Sequence, residues 1–593
     1  SEYENIHDRR FHAQPVACNE CGPHYSLWKG EDRIIEDTDT MVSEIRKMLR
    51  EGKIIAMKGI GGFHLACNAQ DEYAVSRLRS KKNREGKPFA VMFSGLDEVR
   101  RFAFTGEKEE KCLTSWRRPI VILDSKPSPT LAPSVSNGLK SIGAMLPYMP
   151  FHYLLLNEPG LPAMVLTSGN ISDEPIITEN EEALKRLKPV ADAVLVYNRD
   201  IANRSDDSVV RVIAGEGRVV RRSRGFVPEP IRLDMNVEGI IATGAELMGC
   251  LAVGKDHMAI LSQHIGDMTN PETCEFFEET LNRFTRLFRV TPAMIVSDLH
   301  PDYFTTRFAE KFAGKVLHVQ VQHHHAHIAS CMAEYGISQR VIGIAMDGTG
   351  YGTDGHIWGA EFLECDLAGF DRHFHFEYIP LPGGDKGIEE PWRTAVSYLF
   401  HAYGDKFLSL GLPLVKEIGE EKIRLVMKMI DLKINCPLVS SAGRLFDVVA
   451  ALTGICNVSL FHAEAPMRLE ALLIKDINEE YPYHFDGIFR FSETIKAIVS
   501  DILAGIEPGR ISAKFHNTMI SVIFNGAASI REATGLNRVV LSGGTFQNRY
   551  LLEGAEKRLK AGGFQVVAPC RIPANDGGIA LGQLVIASRM HCM

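Results

Sequence analysis

Long apolar runs are what this 593-residue chain lacks first: none reaches the ~18 residues of a membrane span, and no signal-peptide pattern opens it. A cytoplasmic protein with no membrane partner is the expectation. A sustained Lys/Arg stripe is also missing. With 66 basic against 74 acidic residues the formal charge is −8, which argues against nucleic acid as a partner. The twelve cysteines are mostly scattered singly, which suits reduced thiols better than a disulfide framework. What remains is an ordinary globular composition, 45% apolar and 24% charged. The chain is too long for one core, and at ~150 residues per domain about three or four folding units are expected.

One cysteine pair stands apart, Cys18-Asn-Glu-Cys21, followed by Gly22-Pro23. Such a turn is half of a tetrahedral zinc site, and no second pair lies nearby to close it. Either the other ligands lie outside this sequence or the pair is idle. We take the first reading and expect residues 1–33 to be a truncated zinc-finger remnant.

Histidine is concentrated in one place. His323-His324-His325-Ala326-His327 follows a β-prone run from Lys315 to Val321 and opens an alanine-rich segment with helical character. His323 and His327 then share one helical face at i and i+4, a spacing at which two imidazoles converge on one divalent ion, while His324 and His325 point off that face. Taken alone, a surface cluster or a hydrogen-bonded helix start explains the run equally well. Cys331, one turn beyond His327, is expected in the core.

From about Asp37 helix and strand alternate: Thr38 to Glu51 helical, Lys53 to Met57 a buried strand, Asp71 to Arg79 helical, Phe89 to Phe93 a second strand. Between the last two lies a cationic loop, Lys81-Lys82-Asn83-Arg84-Glu85-Gly86-Lys87-Pro88, which is either a solvated turn or a phosphate-neutralising one. A second polar loop, Thr167-Ser168-Gly169-Asn170, offers small side chains that let backbone N–H groups approach a phosphate. Further on, the arginines of Arg221-Arg222-Ser223-Arg224 either reach a pyrophosphate or form a solvated strand, and Pro230 to Val237 reads as a linker.

These pieces, in the order Lys58-Gly-Ile-Gly-Gly-Phe-His-Leu, Lys82-x-Arg84-x-x-Lys87-Pro88, Thr167-Ser168-x-Asn170 and Ser208-Val-Val, resemble the YrdC-type fold, whose members make acyl-adenylates from ATP and a carbamate-like acid. The resemblance implies that Lys58, Lys82, Arg84, Lys87, Thr167, Ser168, Asn170, Ser208 and Arg222 surround the nucleotide, with Lys82 and Arg84 catalytic. Gly61-Gly62 stand where threonine-using relatives have Thr-Val-Tyr, which implies a smaller acid.

A second α/β unit opens at Gly239 with three short strands around Ile240, Gly249 to Val253 and Met258 to Ser262. After the histidines, the apolar strand Val341 to Met346 ends in Asp347-Gly348-Thr349-Gly350. A carboxylate there is placed for a metal or a phosphate, although Asp-Gly equally suits a plain hairpin turn. Val539 to Ser542 runs into Gly543-Gly544 and a helix near Asn548, and Pro573-Ala574-Asn575-Asp576-Gly577-Gly578 precedes a small-residue helix. Two glycine turns in two halves resemble the actin, sugar-kinase and chaperone ATPase superfamily, and within it the TsaD-like and carbamoyltransferase branch. That branch implies His323, His327, Asp347 and Asp576 as ligands of Zn²⁺ or Fe²⁺, the two histidines being catalytic. It places Gly348, Gly350, Asp447, Gly543, Gly544 and Asn548 at a nucleotide, although Arg444 stands where the branch has glutamate.

The fold expected is therefore α/β: a YrdC-like adenylating domain at 34–232 and a two-lobed actin-like domain at 238–593. This order, with His323 to His327 and Ala242 to Asp267, is similar to the HypF family of carbamoyltransferases of nickel-iron hydrogenase maturation. The resemblance implies ATP with Mg²⁺, carbamoyl phosphate hydrolysed to carbamate in an acylphosphatase domain absent from these residues, carbamoyl-adenylate as intermediate, and HypE as acceptor through its C-terminal cysteine. A threonylcarbamoyl transferase acting on tRNA is the competing enzyme class, disfavoured by the negative charge. A non-catalytic ATP-binding chaperone would have no use for the first domain.

Overall fold

The structure, a computed structural model, describes residues 4–8, 22–30, 32–35, 37–157, 160–171 and 174–591, so Cys18 and Cys21 lie outside the described residues. Helix Thr38–Arg50 begins where the Asp37 carboxylate accepts from Thr40 N at 2.9 Å, and it buries Met41, Val42, Ile45, Met48 and Leu49 on one side. That side packs on an 11-stranded sheet, whose strand Ile55–Lys58 is buried throughout, as a continuous apolar run requires. Near the centre Phe63–Asn68 and Ala163–Ser168 run antiparallel with His64 opposite Ser168, so the first motif and the Thr167–Asn170 loop finish side by side.

Both ends of this domain depart from the expected boundaries. Strand Tyr25–Lys29, placed by sequence in the finger segment, pairs with Ala193–Tyr197 and extends the adenylating sheet across the 33/34 boundary. Ile231–Arg232, inside the expected linker, pairs instead with Met258–Leu261 of the second domain. In each case the partner strand is distant in sequence, where local periodicity carries no signal.

The second domain repeats one topology. Ile240–Ala242, Ala252–Lys255 and Met258–Leu261 form an antiparallel meander, and Met294–Asp298 and Leu317–Val321 add in parallel. Likewise Val341–Tyr351, Ile357–Cys365 and Phe370–Phe376 form a meander, and Arg538–Ser542 and Gln565–Val567 add in parallel. Each half closes with a helix, His323–Glu334 and Ile579–His591. These two cross so tightly that a Cβ on Gly582 would lie 1.9 Å from the Ala326 carbonyl oxygen, which is why small residues line them.

One turn expected from sequence is absent. The strand Val341–Tyr351 does not end at Asp347 but continues through Gly348 and Gly350, with a register shift against Ile357–Cys365 between Met346 and Gly350. Gly350 is required for proximity: a Cβ would stand 2.6 Å from His324 Cε1 and 2.7 Å from His323 Cδ2.

Candidate functional site

The histidine helix begins where the sequence pattern places it. Gln322 caps it by accepting from His325 N at 2.9 Å, and every ring of the run is buried. His323 and His327 meet Asp347 from the neighbouring strand and Asp576 from the turn before Ile579–His591, with one ligand atom from each residue within 4.8 Å of the others. His327 Nε2 is 3.2 Å and His323 Nε2 is 3.4 Å from Asp347 Oδ2, and both lie 3.7 Å from Asp576 Oδ1. Asp347 is fixed by the second glycine turn, because its Oδ1 accepts from Gly544 N at 3.1 Å.

A further carboxylate was not singled out in the sequence. Asp298, fully buried at the end of Met294–Asp298, holds His323 Nδ1 at 2.8 Å and so directs Nε2 at the cluster. Asp298 carries the same signature in the sequence as Asp347, a carboxylate directly after an apolar run, and that signal was available. Burial alone would lower the basicity of His323, but the carboxylates of Asp298 and Asp576 carry it well above the ordinary histidine range. Burial would raise Asp347, yet the adjacent imidazoles of His323 and His327 hold it well below the usual carboxylate range. His323 Nε2 is buried without a hydrogen-bond partner. Two imidazoles and two carboxylates, one ring aimed inward by a third carboxylate, make a donor set that fits a divalent cation of the Zn²⁺ or Fe²⁺ kind. His325 turns away to the Asp366 carbonyl at 2.7 Å, and His324 meets Gln322 at 3.1 Å.

Around this cluster the glycines do steric work. A Cβ on Gly543 (φ +106°) would lie 2.2 Å from the Met346 carbonyl oxygen, and one on Gly443 would lie 3.0 Å from Gly348 Cα. Arg444 pairs with Asp447 at 2.8 Å, fully buried, and burial pushes Asp447 up to about 6 despite the arginine. Asn548 caps helix Arg549–Ala561, accepting from Leu551 N at 2.9 Å and meeting His516 Nε2 at 2.8 Å. Cys331 is fully buried among apolar residues.

In the first domain the structure brings most of the expected residues to one place. Lys82, 3% exposed, donates to the Ser168 carbonyl at 2.6 Å, to the Asn170 carbonyl at 2.8 Å and to the Asn170 side chain. Arg84 reaches Thr167 Oγ1 at 3.4 Å, and Ser168 donates to Asn170 Oδ1 at 3.0 Å. Lys58 meets Asn180 Oδ1 at 2.7 Å. Lys87 is exposed on the loop. Arg79, read from sequence only as a helix end, holds that loop by donating to the carbonyls of Arg84 at 2.7 Å and Lys87 at 3.0 Å. His64, opposite Ser168, lies 3.4 Å from Asp207, which pairs with Arg224 at 2.7 Å.

Two residues expected at this nucleotide site are engaged differently. The Ser208 hydroxyl is fully buried, donates to the Arg224 carbonyl at 2.9 Å and accepts from Ser223 N at 2.8 Å, which leaves no hydrogen for a phosphate. Arg222 turns into the seam between the domains, where it donates to the Glu229 carbonyl at 2.6 Å. Neither outcome is visible locally, since both follow from how the end of this domain packs.

The domains meet closely. Arg218 binds Glu556 at 2.7 Å and the carbonyls of Ala568 and Pro569 at 2.8 Å, Val219 N donates to the Cys570 carbonyl at 2.8 Å, and Asn575 Nδ2 donates to the Val220 carbonyl at 3.1 Å. The strand Glu216–Arg221 thus grips the segment that leads to Asp576. At the cationic loop, a Cβ on Gly86 would be 2.8 Å from Leu460 Cβ, so this loop also abuts the second domain.

Comparison with known proteins agrees with this arrangement. Residues 343–583 match the family model described as "Carbamoyltransferase, Kae1-like Domain, second subdomain", 235–334 "HypF Kae1-like domain", 47–223 "Telomere recombination" of the Sua5, YciO and YrdC group, and 1–28 "HypF finger". Carbamoyltransferase HypF of Synechocystis is 37% identical over 584 residues, covering 94% of this chain and 74% of the relative. The probable carbamoyltransferase HypF of Methanocaldococcus jannaschii is 36% identical, covering 93% and 72%. A full-length HypF solved in a phosphate- and nucleotide-bound form superposes with TM-score 0.93 at 45% identity, covering 99% of this chain and 77% of that one. T. kodakarensis HypF superposes with TM-score 0.92 at 36% identity, covering 99% and 78%. The chain is a carbamoyltransferase and belongs to the HypF family.

Proposed function

We propose that this chain condenses carbamate with ATP to carbamoyl-adenylate and pyrophosphate in its first domain and passes the carbamoyl group, in its second, to the C-terminal cysteine of HypE. The product is the thiocarboxamide from which the cyanide ligands of nickel-iron hydrogenase are made, and carbamoyl phosphate is the ultimate carbamoyl source. One observation carries this reading: in one chain, the Lys82–Arg84 loop abuts the same domain that holds the His323, His327, Asp347 and Asp576 cluster, and the strand Glu216–Arg221 hydrogen-bonds the segment bearing Asp576.

In the first reaction a carbamate oxygen attacks the α-phosphorus of ATP and pyrophosphate leaves. Lys82, held by Ser168 and Asn170, and Arg84, held by Thr167, offer preorganised positive charge to the phosphates, with Mg²⁺ accompanying the nucleotide. In the second, the acceptor thiolate attacks the carbamoyl carbon and AMP leaves. A divalent cation held by His323, His327, Asp347 and Asp576 would supply Lewis acidity toward the carbamoyl or phosphate oxygens. Asp298 keeps the His323 tautomer that presents Nε2. No cysteine of this chain is needed as a carrier.

The test supplies the purified chain with ATP, carbamate and a peptide ending in the HypE C-terminal cysteine. Pyrophosphate release and a carbamoylated peptide by mass are expected, and Arg84→Ala should abolish the first while leaving bound metal intact. Activity only with threonine and tRNA would replace this reading by the threonylcarbamoyl one.

A further inference from the structure

Beside the ligand cluster lies a buried cation whose bonding inside the chain is unfinished. Arg444 is 6% exposed, and its Nη1 meets Asp447 Oδ2 at 2.8 Å in an ion pair that lacks hydrogen-bond alignment. Its Nε, its Nη1 and that carboxylate oxygen are all buried without a hydrogen-bond partner among the described residues. Unmade bonds at a buried charge are costly, so a guanidinium in this state marks a place for an acceptor from outside the chain. At this same position the sequence departs from the branch it resembles, with arginine in place of glutamate, which inverts the charge beside the cluster.

The fold fixes where this guanidinium stands. Arg444 belongs to the first turn of helix Ala442–Leu452, whose cap Ser441 accepts from Arg444 N at 3.0 Å and reaches the carbonyls of Asp347 at 3.1 Å and Gly348 at 2.6 Å. The helix start is thereby held against the strand that carries a metal ligand. Space remains in front of it. Chain neighbours aside, a Cβ on Gly348 would meet one group within 4 Å, Arg444 Nη2 at 3.5 Å. One on Gly544 would meet Asp347 Oδ1 at 2.9 Å and, besides it, only Asn575 Cβ at 4.0 Å. Gly348, Thr349, Gly544, Thr545 and Asp576 are all partly exposed. The glycines on either side of Asp347 thus leave an open cleft, bordered by the ligand atoms and by Arg444 Nη2.

We propose that Arg444 is a catalytic cation of the transfer site, which takes the phosphate of the acyl-adenylate beside the metal ligands and offsets the charge that appears as AMP leaves. The inference rests on the two-step reading above. In the transfer step the acceptor sulfur bonds to the carbamoyl carbon, the bond from that carbon to the phosphate oxygen breaks, and its electron pair stays on the phosphate. The phosphate then carries two negative charges instead of one, so a cation beside it stabilises the transition state more than the ground state. A planar fork that keeps one nitrogen on Asp447 turns the other to a phosphate oxygen. Glutamate at 444 would repel the same group.

The experiment reads phosphate recognition apart from nucleoside recognition. AMP and adenosine are titrated by calorimetry into the Zn²⁺-loaded chain carrying Arg84→Ala, which removes a phosphate contact of the first domain. The titrations are repeated with Arg444→Met, with Arg444→Lys and with Arg444→Met joined to Asp447→Asn, and metal is measured in each. Arg444→Met and the joined variant should lose about tenfold in AMP affinity, the scale of one charge-assisted hydrogen bond, with adenosine affinity unchanged. Arg444→Lys should recover part of the loss. With Arg84 restored, and given ATP, carbamate and the HypE peptide, Arg444→Met should make less carbamoylated peptide per pyrophosphate released. Equal losses for AMP and adenosine overturn the proposal, because Arg444 would then only shape the nucleoside side through Asp447. Unchanged AMP affinity overturns it as well. If Arg444→Met loses its metal because the Asp447 carboxylate is left buried alone, the joined variant, which buries no charge, decides. If the chain with Arg84→Ala alone binds AMP no better than adenosine, the second site of the two-step reading fails and the role of Arg444 falls with it.

Discussion

Asp298 shows what a single side chain out of contact with the ligand centre can decide. By holding His323 Nδ1 it leaves Nε2 as the donor, and Asp298→Asn should weaken metal affinity by about 10–100-fold, the usual scale for an outer partner of a ligating histidine. His327→Ala removes a ligand outright and should lower bound metal and carbamoyl transfer together while pyrophosphate release persists. His325→Ala should keep the metal, because that ring is spent on the Asp366 carbonyl. Equal metal loss in His325→Ala and His327→Ala, by elemental analysis, would dissolve the i, i+4 argument. Another residue-scale effect is set by His152, buried with no partner for either ring nitrogen and pushed down to about 3 by burial and then by His64. Its folded value lies below that of the unfolded chain, so its contribution is complete above about pH 6.5 and is lost as pH falls toward 3. By pH 5 the loss is about 2 kcal/mol. His152→Phe should shrink the stability difference between pH 7 and pH 5 by that amount in urea unfolding.

At the scale of elements, strands, turns and helix starts put the chemistry in place. The Val341–Tyr351 strand passes its glycines against the histidine helix, and Gly543 adopts a left-handed backbone against Met346. Gly543→Ala should therefore cost about 1–3 kcal/mol from backbone strain alone and should reduce bound metal, since Gly544 N anchors Asp347. A variant with parental melting temperature and metal content would show that the turn relaxes freely. The cationic loop depends on Arg79 in the same way. Replacing it by Met removes the bonds to the Arg84 and Lys87 carbonyls and should reduce pyrophosphate release without changing metal content.

For the molecule as a whole, the seam makes two domains one device. Arg218 and Glu556 are both nearly buried and bridge the domains. Arg218→Met leaves the carboxylate with Lys560 alone and removes the bonds to the Ala568 and Pro569 carbonyls, and should cost about 1–3 kcal/mol, splitting the thermal transition in calorimetry and loosening the segment that carries Asp576. A single unchanged transition would mean that the domains unfold together without this pair. No helix among the described residues is long and apolar enough to cross a membrane.

Local chemistry was readable from the chain because it is written at short range. The i, i+4 histidines, the carboxylates that follow apolar runs, the glycines opening helices and the cationic loop before Pro88 each declare a geometry within a few residues. From these came the α/β class, the repeated glycine turns and the candidate ligands. What tertiary structure alone decided is which distant pieces meet. Tyr25–Lys29 joins a sheet far along the chain, Ile231–Arg232 joins the next domain, Ser208 is enclosed by its neighbours, and Arg222 turns into the seam. The reason is physical: sheet edges and side chains at the end of a domain take their partners from long-range packing, and no pattern within a window of residues encodes that choice.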